Sequence, residues 1–347
     1  MSTLRWGLVG ASDIAATRVI PALRRLGHEI SGVVSSSAER GRAYAEAHDV
    51  PWTTTDVDAL LGRDDIDAIY VSTTNELHHD QVLAAAMAGK HVLCEKPLAL
   101  SVDDAWEMVD ACERTNLVLA TNHHLPAAAT HQTIRRLVAE GVVGTPLAVR
   151  VFHAVRLPDR LQGWRLAAAE RGAGVVLDIT CHDAAAVHAI LGREPLEAAA
   201  ISVRQGPWDS AAEDAVVTAL RYEGGVLVQT HDAFTVSHAG TGLEVHGTEG
   251  SIVATDVMTQ DPVGRVLLRD RSGEREIAIA DRPDLYETTL AAFAGAVAGS
   301  GRPIVDGADG ARAVAVALAV KEAAETGQTV RVAAAPVTSS GDCKTKE

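Results

Sequence analysis

The sequence predicts an α/β protein of two domains, a doubly wound parallel sheet followed by an α+β domain whose open sheet is largely antiparallel. Its 347 residues favour two domains, at roughly 100–200 residues each. As far as residue 122, short apolar runs alternate with longer helical patterns, as in βαβ units. From residue 123 on, strand-like runs follow one another between flanking helices, which is typical of an α+β domain. We therefore expect domains at 1–122 and 123–332 and a disordered tail at 333–347.

Composition narrows the functional classes. Hydrophobic residues make up 47% and charged residues 22%, as in ordinary globular proteins. The formal net charge of −15, from 31 Lys and Arg against 46 Asp and Glu, argues against nucleic acid as a partner. We find no apolar run of about 18 residues that would span a membrane and no signal peptide. The spacing of the four cysteines fits neither a zinc site nor a disulfide framework. The sequence therefore predicts a cytoplasmic protein with reduced thiols.

The apolar runs of the first half define the parallel sheet. Strands are expected at Leu4–Val9, Glu29–Ser35, near Trp52, and at Ala68–Ser72, His91–Cys94 and Leu117–Thr121. Helices are expected between them at Ile14–Leu26, Ala38–His48, Val57–Leu61, Leu77–Ala88 and Val102–Arg114. Because the strands are apolar without strict alternation, we expect helices on both faces of this sheet.

The second half mixes helices with a series of strands. Helices are expected at Ala127–Glu140, Ile179–Leu191, Tyr286–Ala298 and Gly310–Thr326. Strands are expected at Leu147–Val155, Ala198–Val203, Ala215–Tyr222, Val226–Thr230, Gly242–Val245, Ser251–Ala254, Val266–Arg269 and Glu276–Ala280. The Glu-Gly-Gly turn at 223–225 predicts an antiparallel hairpin. The sequence leaves open whether the open face of this sheet is buried in a homo-oligomer.

The turn between the first strand and the first helix has the character of a phosphate-binding loop. It reads G-x-S-x-x-A from position 10, where a dinucleotide-binding turn usually reads G-x-G-x-x-G. Gly10 can form the tight turn, so that the helix N-terminus would face a pyrophosphate. We expect cofactor contacts from Gly10, Ala11, Ser12 and Ile14, with the Ser12 hydroxyl as a donor to phosphate and Asp13 pointing away. An ordinary strand-to-helix turn is the alternative.

The end of the second strand indicates which cofactor the loop would serve. NAD enzymes usually carry Asp or Glu at this point to bind the ribose 2′-hydroxyl. Here Ser35 ends the strand, and Arg40 follows within the first helical turn. A carboxylate would repel a 2′-phosphate, whereas serine and arginine can donate hydrogen bonds to it. The pattern predicts NADP(H), with a solvated Arg40 as the alternative.

Two further segments carry groups suited to catalysis. Lys96 follows a strand in the sequence Glu95-Lys96-Pro97, and the carboxyl ends of parallel strands face the ligand crevice. A lysine there can polarise a substrate carbonyl, although a lone lysine is usually a surface residue. Asp178 and His182 lie four residues apart, so they would share one face of a helix. His182 can donate a proton, and Asp178 can orient its ring or bind substrate. A metal site and a structural pair are the alternatives, and we expect no metal.

At these residues the chain resembles a known family. The resemblance is carried by the Gly10 turn and by Glu95-Lys96-Pro97, Asn122-His123-His124 and Asp178…His182, and it extends over roughly residues 4–332. The family is named for glucose–fructose oxidoreductase and inositol dehydrogenase (Gfo/Idh/MocA). Its members join a Rossmann domain to an α/β domain with an open, largely antiparallel sheet, and mostly transfer a hydride between NAD(P) and a carbohydrate or polyol. The resemblance implies that Lys96, Asp178 and His182 are catalytic.

Other segments resemble one branch of this family, whose members reduce the ketone of an anhydro sugar with NADPH. They are Ser72–His78, Thr121–Leu125, Leu161–Arg165, Val245–Gly250 and Leu285–Thr288. We expect further cofactor contacts at Ser72, Thr73, Asn75, His78, Glu95, Lys96 and Asn122. We expect substrate contacts at His153, Trp164, Arg165, Asp178, His182 and Tyr286.

The sequence therefore predicts an NADPH-dependent reductase of a neutral sugar ketone. No cluster of Arg and Lys accompanies the motifs, which argues against a sugar phosphate. A polyol, inositol or sugar dehydrogenase of the same family is one alternative, and a non-catalytic NADP-binding sensor is another. Trp164 offers a flat face for a sugar ring, but a buried structural tryptophan is equally compatible with the sequence.

Overall fold

The computed structural model of the chain describes residues 3–336. Of the predicted tail, residues 333–336 have no regular secondary structure, and 337–347, including Cys343, lie outside the described residues. Cys94, Cys112 and Cys181 are buried free thiols. Among the described residues, no helix has the length and apolar character needed to cross a bilayer.

The first sheet has six parallel strands in the order β3-β2-β1-β4-β5-β6, which confirms the predicted doubly wound Rossmann arrangement. The strands are β1 Arg5–Val9, β2 Glu29–Val34, β3 Thr53–Thr54, β4 Ala68–Val71, β5 His91–Cys94 and β6 Leu119–Thr121. Every residue of β4 is buried, because helices cover both faces of the sheet. The carboxyl ends of β1, β2, β4 and β5 open into one cleft.

The helices of this half are α1 Ile20–Arg25, α2 Ala38–Ala47, α3 Val57–Leu61, α4 His78–Met87 and α5 Val102–Arg114. The first differs from the continuous helix predicted at Ile14–Leu26, because a wider π-type turn at Ala15–Val19 precedes it. Pro21 accounts for the difference, since proline has no N–H to donate to the carbonyl four residues back. The wide turn directly follows the predicted phosphate loop.

The second sheet has nine strands in the order β14-β13-β12-β11-β7-β10-β9-β8-β15. They are β7 Pro146–Ala154, β8 Pro195–Val203, β9 Ala215–Tyr222, β10 Leu227–Ala233, β11 Gly242–Gly247, β12 Gly250–Thr255, β13 Arg265–Asp270, β14 Gly273–Glu276 and β15 Val330–Arg331. Only β7 and β10 pair in parallel, so the prediction of a largely antiparallel sheet is confirmed.

The strand predicted at Glu276–Ala280 is wrong. The tight turn after β13 pairs Gly273 with Asp270, so β14 begins at once and ends at Glu276. Ile277 and Ile279, whose alternation suggested a strand, instead pack as partly buried side chains against the core of the second domain.

The helices of the second half are α6 Ala129–Ala139, α7 Gly163–Ala167, α8 Cys181–Leu191, α9 Leu285–Val297 and α10 Gly307–Thr326. Single 3₁₀ turns lie at Asn75–Leu77, Leu125–Ala127, Asp159–Leu161, Ala169–Arg171 and Glu223–Gly225. A second wide π-type turn, Val176–Thr180, leads into α8 and carries Asp178. Helix α9 packs on the first sheet, where Phe293 contacts Trp6 with ring centroids 5.1 Å apart.

Candidate active site

A cleft of about 630 Å³ lies between the strand ends of the first sheet and the segment that joins β7 to α8. Fourteen of the predicted site residues line it: Gly10, Ala11, Ser12, Ile14, Ser35, Arg40, Ser72, Thr73, Asn75, Glu95, Lys96, Trp164, Arg165 and Asp178. The two halves of the sequence therefore meet at one site. Cofactor-type residues come from the first sheet, and Trp164, Arg165 and Asp178 come from the second half.

Gly10 forms the tight turn of the phosphate loop. Its φ is +114°, and a Cβ at this position would lie 2.9 Å from the carbonyl carbon and oxygen of Ser72. Only glycine fits such a turn without strain. The hydroxyl of Ser12 donates to Ser72 Oγ at 2.8 Å and accepts from the amide of Ala15 at 3.2 Å. In this arrangement the Ser12 hydroxyl stabilises the loop and the start of the helix, and its donation to a phosphate stays a prediction.

Asp13 lines the cleft instead of pointing away from it. Its carboxylate forms an ion pair with Arg160, which comes from the second half of the chain. A carboxylate beside a pyrophosphate site is unfavourable unless a cation offsets its charge. Arg160 is that cation, which explains how an acidic residue is accommodated in this loop.

The end of β2 presents the two groups predicted to select the cofactor. Ser35 is buried at the cleft wall, and its hydroxyl has no hydrogen-bond partner among the described residues. Arg40 extends from α2 across the loop and donates to the carbonyl of Ala11 at 2.7 Å. Tyr44, one helical turn further on, donates to the carbonyl of Ser12 at 3.0 Å. Arg40 is therefore tethered beside the phosphate loop, although its side chain is exposed to solvent.

Lys96 and Asp178 form a short ion pair in the cleft. Lys96 Nζ donates to Asp178 Oδ1 at 2.6 Å and to its backbone carbonyl at 2.8 Å. Arg165 Nε also approaches Oδ1, at 3.4 Å, and its guanidinium lies 4.8 Å from the ring centroid of Trp164. Burial acts to raise the pKa of Asp178, but Lys96 and Arg165 outweigh it and lower that pKa to about 2. Asp178 is therefore ionised and holds the lysine ammonium in place.

His182 is oriented by a second histidine. Its Nδ1 lies 3.1 Å from Nδ1 of His123, and the rings of His124 and His182 are 4.7 Å apart. Asp178, expected to orient this ring, forms no hydrogen bond with it in the described part of the chain, because its carboxylate binds Lys96 and Arg165. Burial lowers the pKa of His182 well below 6.5, and the positive charge of Lys96 lowers it further.

Two residues predicted to bind the cofactor lie behind the cleft wall. His78 is fully buried, and its ring contacts the carbonyls of Pro97 at 2.9 Å and Thr73 at 3.3 Å. Asn122 is also buried and donates to Glu95 Oε1 at 2.6 Å. Both belong to segments that resemble the anhydro-sugar reductase branch of the family, and cofactor contacts were expected of them on that basis. In the structure they hold the backbone of Pro97 and the carboxylate of Glu95, which Tyr70 also binds.

Two residues predicted to bind substrate are also largely enclosed. Tyr286 is almost completely buried and stacks on His124 at 5.5 Å between ring centroids, because the first turn of α9 packs into the apolar core of the first domain. Nδ1 of His153 is hydrogen-bonded to Asp183 Oδ1 at a distance of 2.7 Å. Its side chain keeps 11% of its surface exposed.

The cleft also contains arginines that the motif search passed over. Arg160 and Arg171 lie in the Arg- and Gly-rich loop before α8, whose composition was the available signal. The expectation that no arginine cluster accompanies the motifs is therefore corrected. Each arginine already faces a carboxylate: Arg160 pairs with Asp13, and Arg171 lies 3.6 Å from Glu76.

Comparison with known proteins agrees with this geometry. A family model described as "Oxidoreductase family, NAD-binding Rossmann fold" matches residues 4–123, and one described as "GFO/IDH/MocA C-terminal domain" matches residues 131–253. The chain belongs to the Gfo/Idh/MocA oxidoreductase family. The resemblance stated from the motifs is thereby confirmed, and the first domain is an NAD(P)-binding Rossmann domain.

Relatives within the Gfo/Idh/MocA family align over nearly the whole chain. A 1,5-anhydro-D-fructose reductase from Ensifer adhaerens is 52% identical over 94% of this chain and 98% of its own length. A D-xylose 1-dehydrogenase (NADP(+)) from Haloferax volcanii is 29% identical over 95% of this chain and 100% of its own length. A crystal structure of the aldose-aldose oxidoreductase of Caulobacter crescentus with glycerol superposes with a TM-score of 0.86 at 25% identity. The superposition covers 95% of this chain and 100% of that one.

Proposed function

We propose that the protein reduces a sugar ketone with NADPH, and that the sugar is 1,5-anhydro-D-fructose, which yields 1,5-anhydro-D-mannitol. The observation that carries this proposal is the Lys96–Asp178 ion pair in the same cleft as the phosphate loop, with His182 held nearby by His123. The reductase from Ensifer adhaerens, which is 52% identical, supports the identity of the sugar.

The residues at the cleft fit NADPH in two respects. The turn at Gly10 brings its backbone against Ser72, where any larger residue would collide, so the loop has the close-approach geometry that a pyrophosphate requires. The Arg40 guanidinium lies beside the loop, where it can donate to a 2′-phosphate, and the nearby Ser35 hydroxyl is buried without a partner among the described residues. A bound NADPH supplies the hydride. No carboxylate stands at position 35 to bind a free 2′-hydroxyl, so we propose that NADPH is preferred to NADH.

We propose that Lys96 polarises the ketone oxygen. Its ammonium is fixed by two acceptors of the same residue, Asp178, which leaves its third N–H free to point at a substrate. A cation preorganised in a largely buried cleft stabilises the negative charge that develops on the oxygen as hydride adds to the carbon. Arg165 shares Asp178 and lies over Trp164, so the tryptophan face and the ion pair form one wall of the proposed sugar site.

The tautomer of His182 follows from its neighbour. Nε2 of His123 is buried without a partner among the described residues, and buried N–H donors are more rarely left unpaired than acceptors. His123 therefore carries its proton on Nδ1 and donates it to Nδ1 of His182. His182 must then carry its own proton on Nε2, which can donate a hydrogen bond to the substrate oxygen.

These charges suggest which group supplies the proton. Burial lowers the pKa of His182, so its ring is neutral at neutral pH and is a poor acid. Lys96 beside ionised Asp178 carries a proton that an alkoxide would take readily. We propose that Lys96 delivers the proton while Nε2–H of His182 holds the same oxygen. This moves the proton-donor role, which the sequence suggested for His182, to Lys96.

Turnover measured as NADPH oxidation tests the proposed function. We expect 1,5-anhydro-D-fructose to be reduced, with glucose and fructose as poor substrates. Their phosphates should also be poor substrates, because Arg160, Arg165 and Arg171 already face carboxylates. NADH assayed in parallel should give the lower kcat/KM. Faster turnover of fructose 6-phosphate than of 1,5-anhydro-D-fructose would contradict the substrate assignment. NADPH binding without turnover of any sugar ketone would favour the non-catalytic sensor.

A further inference from the structure

Two aspartates face each other in the core of the second domain, directly behind the proposed site. Asp183 lies in the first turn of α8, next to His182, and Asp232 lies on β10. Both are 0% exposed, and their carboxyl groups are within hydrogen-bonding reach of each other. No lysine or arginine is hydrogen-bonded to either carboxyl among the described residues. Two buried carboxylates in contact without a cation are strongly destabilising.

The hydrogen bonds around the two aspartates leave a place for one proton. Asp232 Oδ2 accepts from the hydroxyls of Thr180 at 2.6 Å and Thr230 at 2.9 Å. Asp183 Oδ1 is bound to Nδ1 of His153 at 2.7 Å. The remaining oxygens, Asp183 Oδ2 and Asp232 Oδ1, are buried and have no donor within residues 3–336. A single proton between them would satisfy every oxygen of the pair.

The sheet register brings this unit together. Strands β7 and β10 pair in parallel with His153 opposite Asp232, so both side chains project from the same face of the sheet, beneath α8. Nδ1 of His153 must donate to the Asp183 carboxylate, which leaves Nε2 of a neutral ring as an acceptor. The His153 side chain is not sealed within the core: it is 11% exposed, and the charges of Lys96 and Asp178 act on the ring.

We propose that Asp183 and Asp232 hold one shared proton, and that this pair is a positioning unit that fixes His153 as the hydrogen-bond acceptor for a hydroxyl of the substrate. Only the nature of that hydroxyl rests on the proposed sugar reductase. The proton count and the tautomer follow from the contacts alone. A sugar that lacks this hydroxyl would leave Nε2 of His153 without a hydrogen bond and would therefore bind less well. In this way a neutral histidine can discriminate between neutral sugars.

Several titratable groups surround this unit. His131 approaches His153 from α6, and His124 and His182 approach it from the turn after β6 and from α8. Lys96 and Asp178 act on it from the cleft. Burial lowers the pKa of His153 to about 4, and that of His131 also to about 4, so both rings are neutral at neutral pH. The shared proton is therefore the titrating element of the unit.

Infrared spectroscopy of the full chain tests the shared proton without reference to activity. At neutral pH the wild type should show the carbonyl band of a protonated carboxylic acid. Asp232→Asn should remove it, because the amide N–H replaces the proton and keeps the unit folded. Asp209→Asn, a matched change of an exposed aspartate, should leave the band unchanged. A wild-type spectrum without the band, or a band that persists in both Asp232→Asn and Asp183→Asn, would overturn the proposal.

Nitrogen NMR and kinetics test the role of His153. The ring of His153, assigned with a His153→Phe variant, should carry its proton on Nδ1 in the wild type and in Asp232→Asn. With 1,5-anhydro-D-fructose, His153→Phe should raise the KM about tenfold while NADPH binding is kept, and Asp232→Asn should change the KM less than about twofold. A ring proton on Nε2, or an unchanged KM in a folded and active His153→Phe, would refute the positioning role. If the sugar is not a substrate, the spectroscopic results still decide the proton and the tautomer.

Discussion

Replacing Arg40 with alanine separates cofactor recognition from loop structure. The guanidinium of Arg40 now donates to the carbonyl of Ala11, and a 2′-phosphate beside Ser35 would gain a charge-assisted bond from it. Such a bond contributes about 1.5–3 kcal/mol when shielded, and less for an exposed side chain such as Arg40. We therefore expect Arg40→Ala to weaken NADPH binding about tenfold, equivalent to about 1.4 kcal/mol. NADH binding should weaken by about twofold or less, since it loses only the neutral contact to Ala11.

Dissociation constants of NADPH and NADH, measured by fluorescence titration at two salt concentrations, check this expectation. The matched control is Arg42→Ala, which removes the same charge from an exposed position on the same helix. Subtracting the change in binding free energy for Arg42→Ala from that for Arg40→Ala removes the long-range effect of net charge. The NADPH effect should shrink at high salt, because the contact is partly exposed. Equal weakening of both cofactors by Arg40→Ala would show that Arg40 only tethers the loop, and would refute the assignment.

Four further outcomes follow from the site. Lys96→Ala should lower kcat about 100-fold or more while NADPH binding is retained, in single-turnover and titration measurements. His182→Ala should lower kcat by a similar factor, and His182→Asn should recover much of it if the residue donates only a hydrogen bond. Gly10→Ala should weaken NADPH and NADH alike by about tenfold, because its Cβ would meet a neighbouring carbonyl at 2.9 Å. Burial raises the pKa of Asp183 to about 8 and that of Asp232 well above its ordinary value. The folded state therefore binds the proton of this pair more tightly than the unfolded chain, and stability should decline as pH rises from about 4 through 8, a decline measured by thermal melts and smaller in Asp232→Asn.

The fold was predictable because its signals are local. The alternation of apolar strands with helices predicts the parallel sheet. The Glu-Gly-Gly turn at 223–225 predicts the hairpin of β9 and β10. The failures also have local causes. Because of Pro21, a wide π-type turn replaces the first part of the predicted helix. The tight turn before Gly273 makes β14 begin at Gly273, so the strand lies N-terminal to its predicted position. Neither effect changes the periodicity of the apolar residues, which is what the sequence displays.

Sequence reasoning could predict which segments of the chain meet at the site, but not the contacts of individual side chains. Strand ends meet at one edge of a parallel sheet, so Lys96 was expected in the cleft from its position alone. The partners of each side chain could not be read from spacing. Asp178 and His182 are four residues apart, yet the wide turn before α8 directs Asp178 to Lys96, while His182 bonds to His123. Pairing of that kind depends on the packing of both domains.

The electrostatics of the histidine cluster support the proposal of a neutral sugar as the substrate. His123, His124, His153 and His182 are all buried, and the positive charge of Lys96 lowers the pKa of each in addition to burial. The rings are therefore neutral, so each offers one donor and one acceptor in place of a charge. Sugar hydroxyls require both kinds of partner, whereas a phosphate would require donors alone. In the proposed reduction, the Lys96 ammonium would then stand among neutral rings at the place where the ketone becomes an alkoxide.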